Sequence, residues 1–125
     1  WNAPIDDPNH EENAVQAAID MQKELIVLNK ELETEGLPQI NIGIGINTGE
    51  ALVGNMGSSQ RFDYSVIGDD VNLASRLESS SKTLGKTLVI GEKTVKGAKH
   101  NYNFDYVDEI TVKGKTEKIK VYTTI

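Results

Sequence analysis

The chain has 125 residues, of which 38% are apolar, and this is enough for one compact domain but not for two. Thirteen basic and nineteen acidic side chains give a formal charge of −6, which disfavours binding to nucleic acid or to anionic lipid. Cysteine is absent, which excludes disulfide bonds and thiolate metal sites and is typical of a reducing, cytoplasmic setting. No apolar run approaches the ~20 residues that a bilayer-crossing helix needs, so we expect no membrane contact. Because the chain begins with Trp1 and not with Met, we expect it to be part of a longer protein.

The first predicted element is a long amphipathic helix over about residues 10–35. Asn9 followed three residues later by Glu12 is typical of a helix start, and Gly36 and Pro38 are typical of a helix end. Between them, apolar side chains recur at alternating spacings of four and three: Ala14, Ala18, Met21, Leu25, Leu28 and Leu32. We interpret this helix as a packing element, and its single histidine does not make a metal site.

A strand is predicted next, over residues 40–47, where isoleucine alternates with asparagine or glycine. Gly43 and Gly45 share one face of that strand, which indicates that a backbone, a ligand or a partner approaches closely. Close packing of a helix is an equally good explanation. Asn47-Thr48-Gly49 predicts a turn, so residues 50–56 are predicted to return as the second strand of a hairpin.

The second half of the sequence mixes strands and helices. Residues 61–67 predict a short strand, and Asp69 or Asp70 is predicted to cap the helix that follows. The apolar side of that helix is expected to face the core: Val71, Leu73, Ala74 and Leu77. Further predicted elements are a buried strand at 87–90, a helical turn or two at 92–98, and a terminal hairpin formed by 104–113 and 119–124. The expected fold class is therefore α+β, an α/β sandwich.

Asn72 and Arg76 are the first candidate site residues. They are four residues apart on the predicted helix, so they share one face, opposite the apolar side. An arginine that neutralises charge beside an asparagine that orients a hydroxyl suits a polyphosphate ester. This spacing also occurs often by chance on exposed helices. Lys113, in the turn Lys113-Gly114-Lys115, is a further candidate for binding phosphate, although such turns are common as well.

Several better-known site patterns are excluded by the spacing of the residues. Gly43, Gly45 and Gly49 do not match the dinucleotide-binding pattern Gly-x-Gly-x-x-Gly, and no helix follows at once. The phosphate-binding pattern Gly-x-x-x-x-Gly-Lys-Ser/Thr is absent. Ser58-Ser59 has no histidine arranged for nucleophilic catalysis, so a hydrolase is not supported.

Two longer segments carry a specific family resemblance. They are IGIGINTGE at residues 42–50, continuing through GNMGS at 54–58, and YSVIGDDVNLASRLE at 64–78. Together they resemble the catalytic domain of class III adenylate and guanylate cyclases, and the resemblance extends over essentially the whole chain. It implies a ferredoxin-like cyclase fold, here a single partial domain over residues 1–125 that lacks the N-terminal, metal-binding part.

The resemblance also implies an activity. The parent protein is expected to convert a nucleoside triphosphate into a 3′,5′-cyclic nucleotide and pyrophosphate, in intracellular signalling. Asn72 matches the family's ribose-holding asparagine, Arg76 its transition-state arginine, and Lys113 a lysine that binds the terminal phosphates. Ser65 matches a position that reads the purine. Serine there favours adenine only modestly because a hydroxyl both donates and accepts hydrogen bonds, so ATP is expected over GTP.

By the same resemblance, the reaction depends on Mg2+ or Mn2+, and the family's metal-binding aspartates precede the first residue of this chain. We therefore expect negligible activity from the chain alone, because the metals supply much of the charge stabilisation in phosphoryl transfer. The family forms head-to-tail dimers in which one subunit supplies the aspartates and the other the asparagine and arginine. A homodimer or higher self-association is also expected because the strand at residues 40–47 would have an unpaired apolar edge.

Two other functions remain open from the sequence. A non-catalytic cyclase-like module could dimerise and bind nucleotide without turnover, although Asn72 and Arg76 are retained. A diguanylate cyclase shares the general architecture, but it would need a Gly-Gly-Asp/Glu-Glu-Phe-like hairpin, and this sequence has none.

Overall fold

The computed structural model describes residues 1–56, 63–98, 101–111 and 117–124, without the side chains of Met56, Asp63 and Tyr64. This part of the chain contains three helices and six strands. In chain order they are α1 (His10–Thr34), β1 (Ile44–Ile46), β2 (Leu52–Met56), β3 (Asp63–Ile67), α2 (Asp69–Leu84), β4 (Leu88–Gly91), α3 (Glu92–Ala98), β5 (Phe104–Thr111) and β6 (Lys118–Thr124). The predicted α+β class is confirmed.

Four of the strands form one sheet in the order β1-β4-β6-β5. β1 runs parallel to β4, with Ile44 opposite Leu88, whereas β6 is antiparallel to both β4 and β5. β2 and β3 form a separate antiparallel pair. Within the described ranges, β1 is an edge strand with β4 as its neighbour.

The four-stranded sheet is covered on both faces, because alternate residues of β4 point to opposite sides. Leu88 and Ile90 pack with Val15 and Ala18 of α1 and with Ala98 of α3. Val89, between them in sequence, belongs to a second apolar cluster with three other buried side chains, Leu73, Leu77 and Val121. The result is a sandwich with α1 and α3 on one face of the sheet and α2 on the other.

Helix α1 has nearly the predicted bounds, but its start and its buried stripe differ from the prediction. Asn9 is the N-cap, yet its side chain makes no capping bond. Instead the Asp7 carboxylate accepts hydrogen bonds from the backbone N–H of Asn9 at 3.0 Å and from Nδ2 of Asn13 at 2.8 Å. The bond from Asn13 is the largest of the influences that lower the pKa of Asp7. The Asn9–Glu12 pattern therefore predicts the correct helix start, but the side chain that accepts hydrogen bonds there is that of Asp7 and not that of Asn9.

Only the N-terminal part of the predicted apolar stripe on α1 is buried. Ala14 and Ala18 lie in the core, whereas Met21 is 52% exposed and Leu28 is 40% exposed. Ile26 and Val27 are also more than half exposed. The periodicity correctly predicted the helix, but the described residues leave much of the apolar surface of its second half exposed. Among the described segments, no helix has the length and apolar content needed to cross a bilayer.

The predicted strand over residues 40–47 is shorter in the structure, where β1 spans Ile44–Ile46. The reason is visible at Ile40, whose backbone pairs with a side chain and not with a strand. Its carbonyl accepts a hydrogen bond from Nδ2 of Asn29 at 2.9 Å, and its N–H donates to Oδ1 of Asn29 at 2.7 Å. Asn29 thus ties this segment to α1.

The predicted hairpin between residues 40–47 and 50–56 is wrong. β1 pairs with β4 in the larger sheet, while β2 pairs with β3, with Val53 opposite Val66. Asn47-Thr48-Gly49 therefore leads the chain from one sheet to another and does not close a turn between paired strands. The sequence pattern identified both strands but not their partners, because the pattern within a strand does not specify which other strand it pairs with.

Helix α2 begins where it was predicted, but neither Asp69 nor Asp70 is its cap. Gly68 occupies the N-cap position and both aspartates lie in the first turn, where negative charge is favourable. At the other end Gly85 adopts a left-handed conformation, φ +67°, which glycine accepts without strain. The predicted buried positions Leu73 and Leu77 are confirmed.

The C-terminal elements follow the prediction closely. β4 and α3 occupy the expected positions, and β5 and β6 pair antiparallel as the terminal hairpin. Tyr102, just before β5, donates from its hydroxyl to Oε1 of Gln16 on α1 at 2.8 Å. Burial, with smaller contributions from nearby acids, raises the pKa of Tyr102, so this donor stays protonated at neutral pH. This contact fixes the entry to β5 against α1.

Candidate active site

A cavity opens between the first turns of α2, the start of α3 and the start of β6; we call it the α2 cavity. Three separate elements contribute to its wall, so it depends on the tertiary fold. Its described lining comprises Asn47, Asp69, Asp70, Asn72, Leu73, Ser75, Arg76, Ser79, Glu92, Lys93, Glu117, Lys118 and Ile119.

Asn72 and Arg76 share one face of α2, as their spacing predicts, and both line the α2 cavity. Both side chains are exposed and lie one helical turn apart on α2. Nε of Arg76 donates to the backbone carbonyl of Thr111 at the end of β5, at 3.1 Å. This bond uses one of the five N–H groups of the guanidinium. The structure thus places an amide and a guanidinium side by side on one accessible wall.

The position of α2 is set by an unusually close approach to β1. A Cβ added at Gly45 would overlap backbone atoms of Ala74 and Glu78, and one added at Gly43 would overlap the Ser81 hydroxyl. Of the explanations left open by the sequence, close helix packing is therefore the one that the structure shows. Because no side chain separates the helix from the strand, α2 lies directly on the sheet.

Charges of both signs face the α2 cavity. Among the described lining residues there are four carboxylates, on Asp69, Asp70, Glu92 and Glu117, and three cations, on Arg76, Lys93 and Lys118. Nζ of Lys93 lies 3.9 Å from Oδ1 of Asp70, and both groups are partly exposed, so this pair adds little stability. The described wall alone does not neutralise a polyanion.

Of the two other predicted site residues, Ser65 and Lys113, the structure describes only Ser65. Ser65 lies partly buried in the middle of β3, opposite Gly54 of β2, and it is not part of the described cavity lining. Lys113 falls within residues 112–116, outside the described residues. The structure therefore joins Asn72 to Arg76 and leaves the roles of Ser65 and Lys113 as predictions.

The described residues do not fit a metal ion. No group of three or more histidine, aspartate or glutamate side chains in the described segments is arranged to hold one. Asp69 and Asp70 share the cavity, but Asp70 is already engaged by Asn47 and faces Lys93. The sequence-based expectation that this chain supplies no metal ligands stays a prediction.

Asn47 is a site residue that the sequence did not identify. It follows β1 directly, and its Nδ2 donates to the backbone carbonyl of Asp70 at 3.0 Å and lies 3.3 Å from Oδ1 of the same residue. In the sequence, Asn47 belongs to a segment typical of a turn, and Asp70 is at a position typical of a helix cap. The two residues are 23 positions apart, so no local pattern indicates their contact.

Comparison with known proteins places the chain in a family. The family model for the adenylate and guanylate cyclase catalytic domain matches residues 4–125. The chain belongs to this family. The cyclase domain is similar over its full length to adenylate cyclase 1 of Rhizobium meliloti, at 33% identity, and spans 19% of that protein.

Solved cyclase structures are also similar to this cyclase domain. The guanylyl cyclase Cya2 matches 98% of the chain with a TM-score of 0.85 and 31% identity, and the chain covers 61% of it. The guanylate cyclase domain of RhGC from Catenaria anguillulae, solved in complex with GTP, matches 98% of the chain with a TM-score of 0.78 and 32% identity, with 64% of it covered. The relatives include adenylate and guanylate cyclases, and the chain spans only part of their length.

Proposed function

We propose that this cyclase domain supplies one side of a site that converts a nucleoside triphosphate into a 3′,5′-cyclic nucleotide and pyrophosphate. The observation that carries the proposal is the shared position of Asn72 and Arg76 on the wall of the α2 cavity, one helical turn apart. An amide can hold a ribose while a guanidinium holds a phosphate of the same molecule. Membership of the cyclase family supports the reaction class.

In the proposed reaction, the ribose 3′-oxygen attacks the α-phosphorus and pyrophosphate leaves. The bond between the 3′-oxygen and the α-phosphorus forms, the α–β phosphoanhydride bond breaks, and the hydroxyl proton is lost to solvent or to a base. Asn72 orients the ribose for in-line attack. Arg76 stabilises the negative charge that develops on the phosphates, which is the main way in which proteins accelerate such transfers.

Binding of a triphosphate in the α2 cavity needs more positive charge than the described wall supplies. Four carboxylates and three cations line its described wall, so a bound triphosphate would meet net repulsion there. Mg2+ or Mn2+ is the proposed counter-ion, with ligands from outside the described residues of this chain. Lys113 is proposed to bind the terminal phosphates.

A second subunit is the proposed source of the metal-binding side chains. The Asn72–Arg76 pair would then act on a nucleotide held in a cleft between two subunits, in agreement with the exposure of both side chains. A single copy of this chain is accordingly expected to form negligible cyclic nucleotide. The proposed cellular setting is the cytoplasm, where ATP and GTP are available.

ATP is the proposed substrate in preference to GTP. The basis is Ser65, at the position that matches the family's purine-reading residue; a hydroxyl discriminates weakly because it both donates and accepts. Relatives of both specificities match the chain. The test is the ratio of kcat/KM for ATP to that for GTP, measured in the complete polypeptide that carries these residues; a ratio below one would reverse the proposed preference.

The central test is substitution of the two cavity residues in that complete polypeptide. Arg76→Ala and Asn72→Ala are each expected to lower kcat by about 10²–10³-fold, the range seen when one preorganised donor to a transition state is removed. Ser79→Ala is the matched control, since Ser79 lines the same cavity but donates to the backbone carbonyl of Ser75. Cyclic nucleotide formation that survives both alanine variants would reject the proposed site.

Complementation tests the shared cleft. The 125-residue chain is mixed with a related cyclase subunit that has lost its own asparagine and arginine but keeps its metal-binding residues. Activity is expected from the mixture and from neither protein alone, and the Arg76→Ala chain is expected not to support it. Nucleotide binding without activity in every mixture would favour the non-catalytic module instead.

A further inference from the structure

The end of β1 is bonded to the first turn of α2 through one side chain. Asn47 immediately follows β1, and its Nδ2 donates to the backbone carbonyl of Asp70 at 3.0 Å. The same nitrogen lies 3.3 Å from Oδ1 of Asp70, so it engages both the backbone and the side chain of that residue. Asp70 is two residues before Asn72 and six before Arg76 on the same helix.

Two glycines provide the space for this contact. A Cβ added at Gly49 would overlap the carboxyl group of Asp70, and one added at Gly91 would lie 2.7 Å from Oδ1 of Asn47. Both positions therefore need glycine for the asparagine and the aspartate to meet as they do. The glycines lie on different segments, one after β1 and one at the end of β4, so two parts of the fold are adapted to the same contact.

The first turn of α2 is joined to two neighbouring segments through Asp70. Its N-cap is Gly68, which makes no side-chain capping bond. The carbonyl and the carboxylate of Asp70 both face Nδ2 of Asn47, which follows β1, and Nζ of Lys93 on α3 lies 3.9 Å from the carboxylate. Because Lys93 is largely exposed, the bond from Asn47 is the stronger of the two.

We infer that Asn47 is a positioning residue that sets the direction of Asn72 and Arg76 through Asp70. A helix is stiff over two turns, so the orientation of its first turn determines where the side chains of Asn72 and Arg76, the fourth and eighth residues after Gly68, project. An error of ~1 Å in the placement of a catalytic group can lower a rate by about 100-fold. This inference rests on the proposed cyclase function of the Asn72–Arg76 pair.

The test uses three variants of the complete polypeptide. Asn47→Ala removes the donor, and it is expected to lower kcat by about 10-fold or more while KM changes less than about twofold, because the contact orients groups used in the transition state. Asn47→Asp places a second carboxylate beside Asp70, so a larger loss is expected. Asn47→Asp combined with Asp70→Asn restores the side-chain donor and acceptor with their positions exchanged, but not the bond to the backbone carbonyl of residue 70, so only part of the lost kcat is expected to be recovered.

A matched control and a second measurement separate positioning from other roles. Asn41, an exposed asparagine in the segment before β1, receives the same alanine and aspartate substitutions, which are expected to leave kcat unchanged. Amide hydrogen exchange is measured at Leu73 and Ala74 in the first turns of α2, where Asn47→Ala is expected to accelerate exchange. A fall in kcat without faster exchange would mean that Asn47 acts directly on the nucleotide, and it would overturn the inference.

The two proposals fail in different ways. If the unsubstituted polypeptide forms no cyclic nucleotide under any metal or nucleotide tested, the proposed function fails, while hydrogen exchange still reports on the contact. If the unsubstituted polypeptide is active, and the Asn47→Ala variant has the same kcat and the same amide hydrogen exchange in α2, then Asn47 has no positioning role. The proposed cyclase function is not affected by that result. Recovery in the exchanged pair, with exchange at α2 slowed again, would support the inference.

Discussion

At the scale of single residues, Gly45 illustrates how a missing side chain positions a site. Its Cα faces the backbone of α2 so closely that an added methyl group would overlap Ala74 and Glu78. Gly45→Ala must therefore displace the helix from the sheet. Overpacking of this kind costs about 1–3 kcal/mol, so we expect a loss of that size in the free energy of unfolding, measured by denaturant titration.

Gly54 provides the control for this prediction. It also lies in a strand, β2, but a Cβ added there meets no described atom within 4 Å. Gly54→Ala is expected to be neutral or slightly stabilising, since alanine restricts the unfolded chain more than glycine does. Equal destabilisation by the two substitutions would show that the close approach of α2 to β1 is not the cause.

The sequence indicated some of the site residues and missed others for a physical reason. Asn72 and Arg76 are four residues apart on one helix, so helical geometry alone places them together. Asn47 and Asp70 meet only because β1 and α2 pack against each other, 23 residues apart in sequence. In the sequence, Asn47 is explained by a turn and Asp70 by a helix start. Neither local explanation indicates that the two side chains are in contact in the folded chain.

At the scale of elements, the sequence predicted what each segment forms and that β5 pairs with β6, but not the partners of β1 and β2. The bounds of α1 and the buried apolar run of β4 are evident from residues a few positions apart. The partners of β1 and β2 were wrong because a turn signal between two strands does not require that they pair with each other. Ile40 was predicted to extend β1, and its backbone is instead bonded to Asn29 on α1.

A hydrogen bond between two threonine side chains joins the segment after β1 to α3. The hydroxyls of Thr48 and Thr94 are 2.7 Å apart, and Thr94 is fully buried. Thr94→Val keeps the shape but leaves the Thr48 hydroxyl without this partner, at a cost of about 1–3 kcal/mol in the free energy of unfolding. Thr48→Val is expected to cost a similar amount.

The double variant shows whether the two hydroxyls act as a pair. Removing both leaves no hydroxyl deprived of its partner, so Thr48→Val with Thr94→Val is expected to cost less than the sum of the single changes. Thr83→Val, at an exposed threonine of α2, controls for the chemical change itself and should have little effect. Strict additivity in denaturant titrations would argue that the contact contributes nothing of its own.

At the scale of the whole molecule, two features on one side of the chain remain uncovered by the described residues. β1 lies at the edge of the four-stranded sheet. Near it, the second half of α1 forms an apolar groove with Ile42, lined in part by Met21, Val27 and Leu28. An edge strand beside an apolar groove is a surface that a monomer in water rarely leaves exposed. Both features favour association of the isolated chain with a second copy.

The 125-residue chain is therefore expected to sediment as a dimer or larger species at micromolar concentration. Burying a Met or Leu side chain fully contributes about 1.5–3 kcal/mol, so Met21→Lys combined with Leu28→Lys, which replaces two such contacts with charges, should shift the chain towards monomer in analytical ultracentrifugation. Ile5→Lys is the control, because Ile5 is 81% exposed and lies outside the groove. A monomer before any substitution, or equal dissociation by the control, would show that this side of the chain does not drive association.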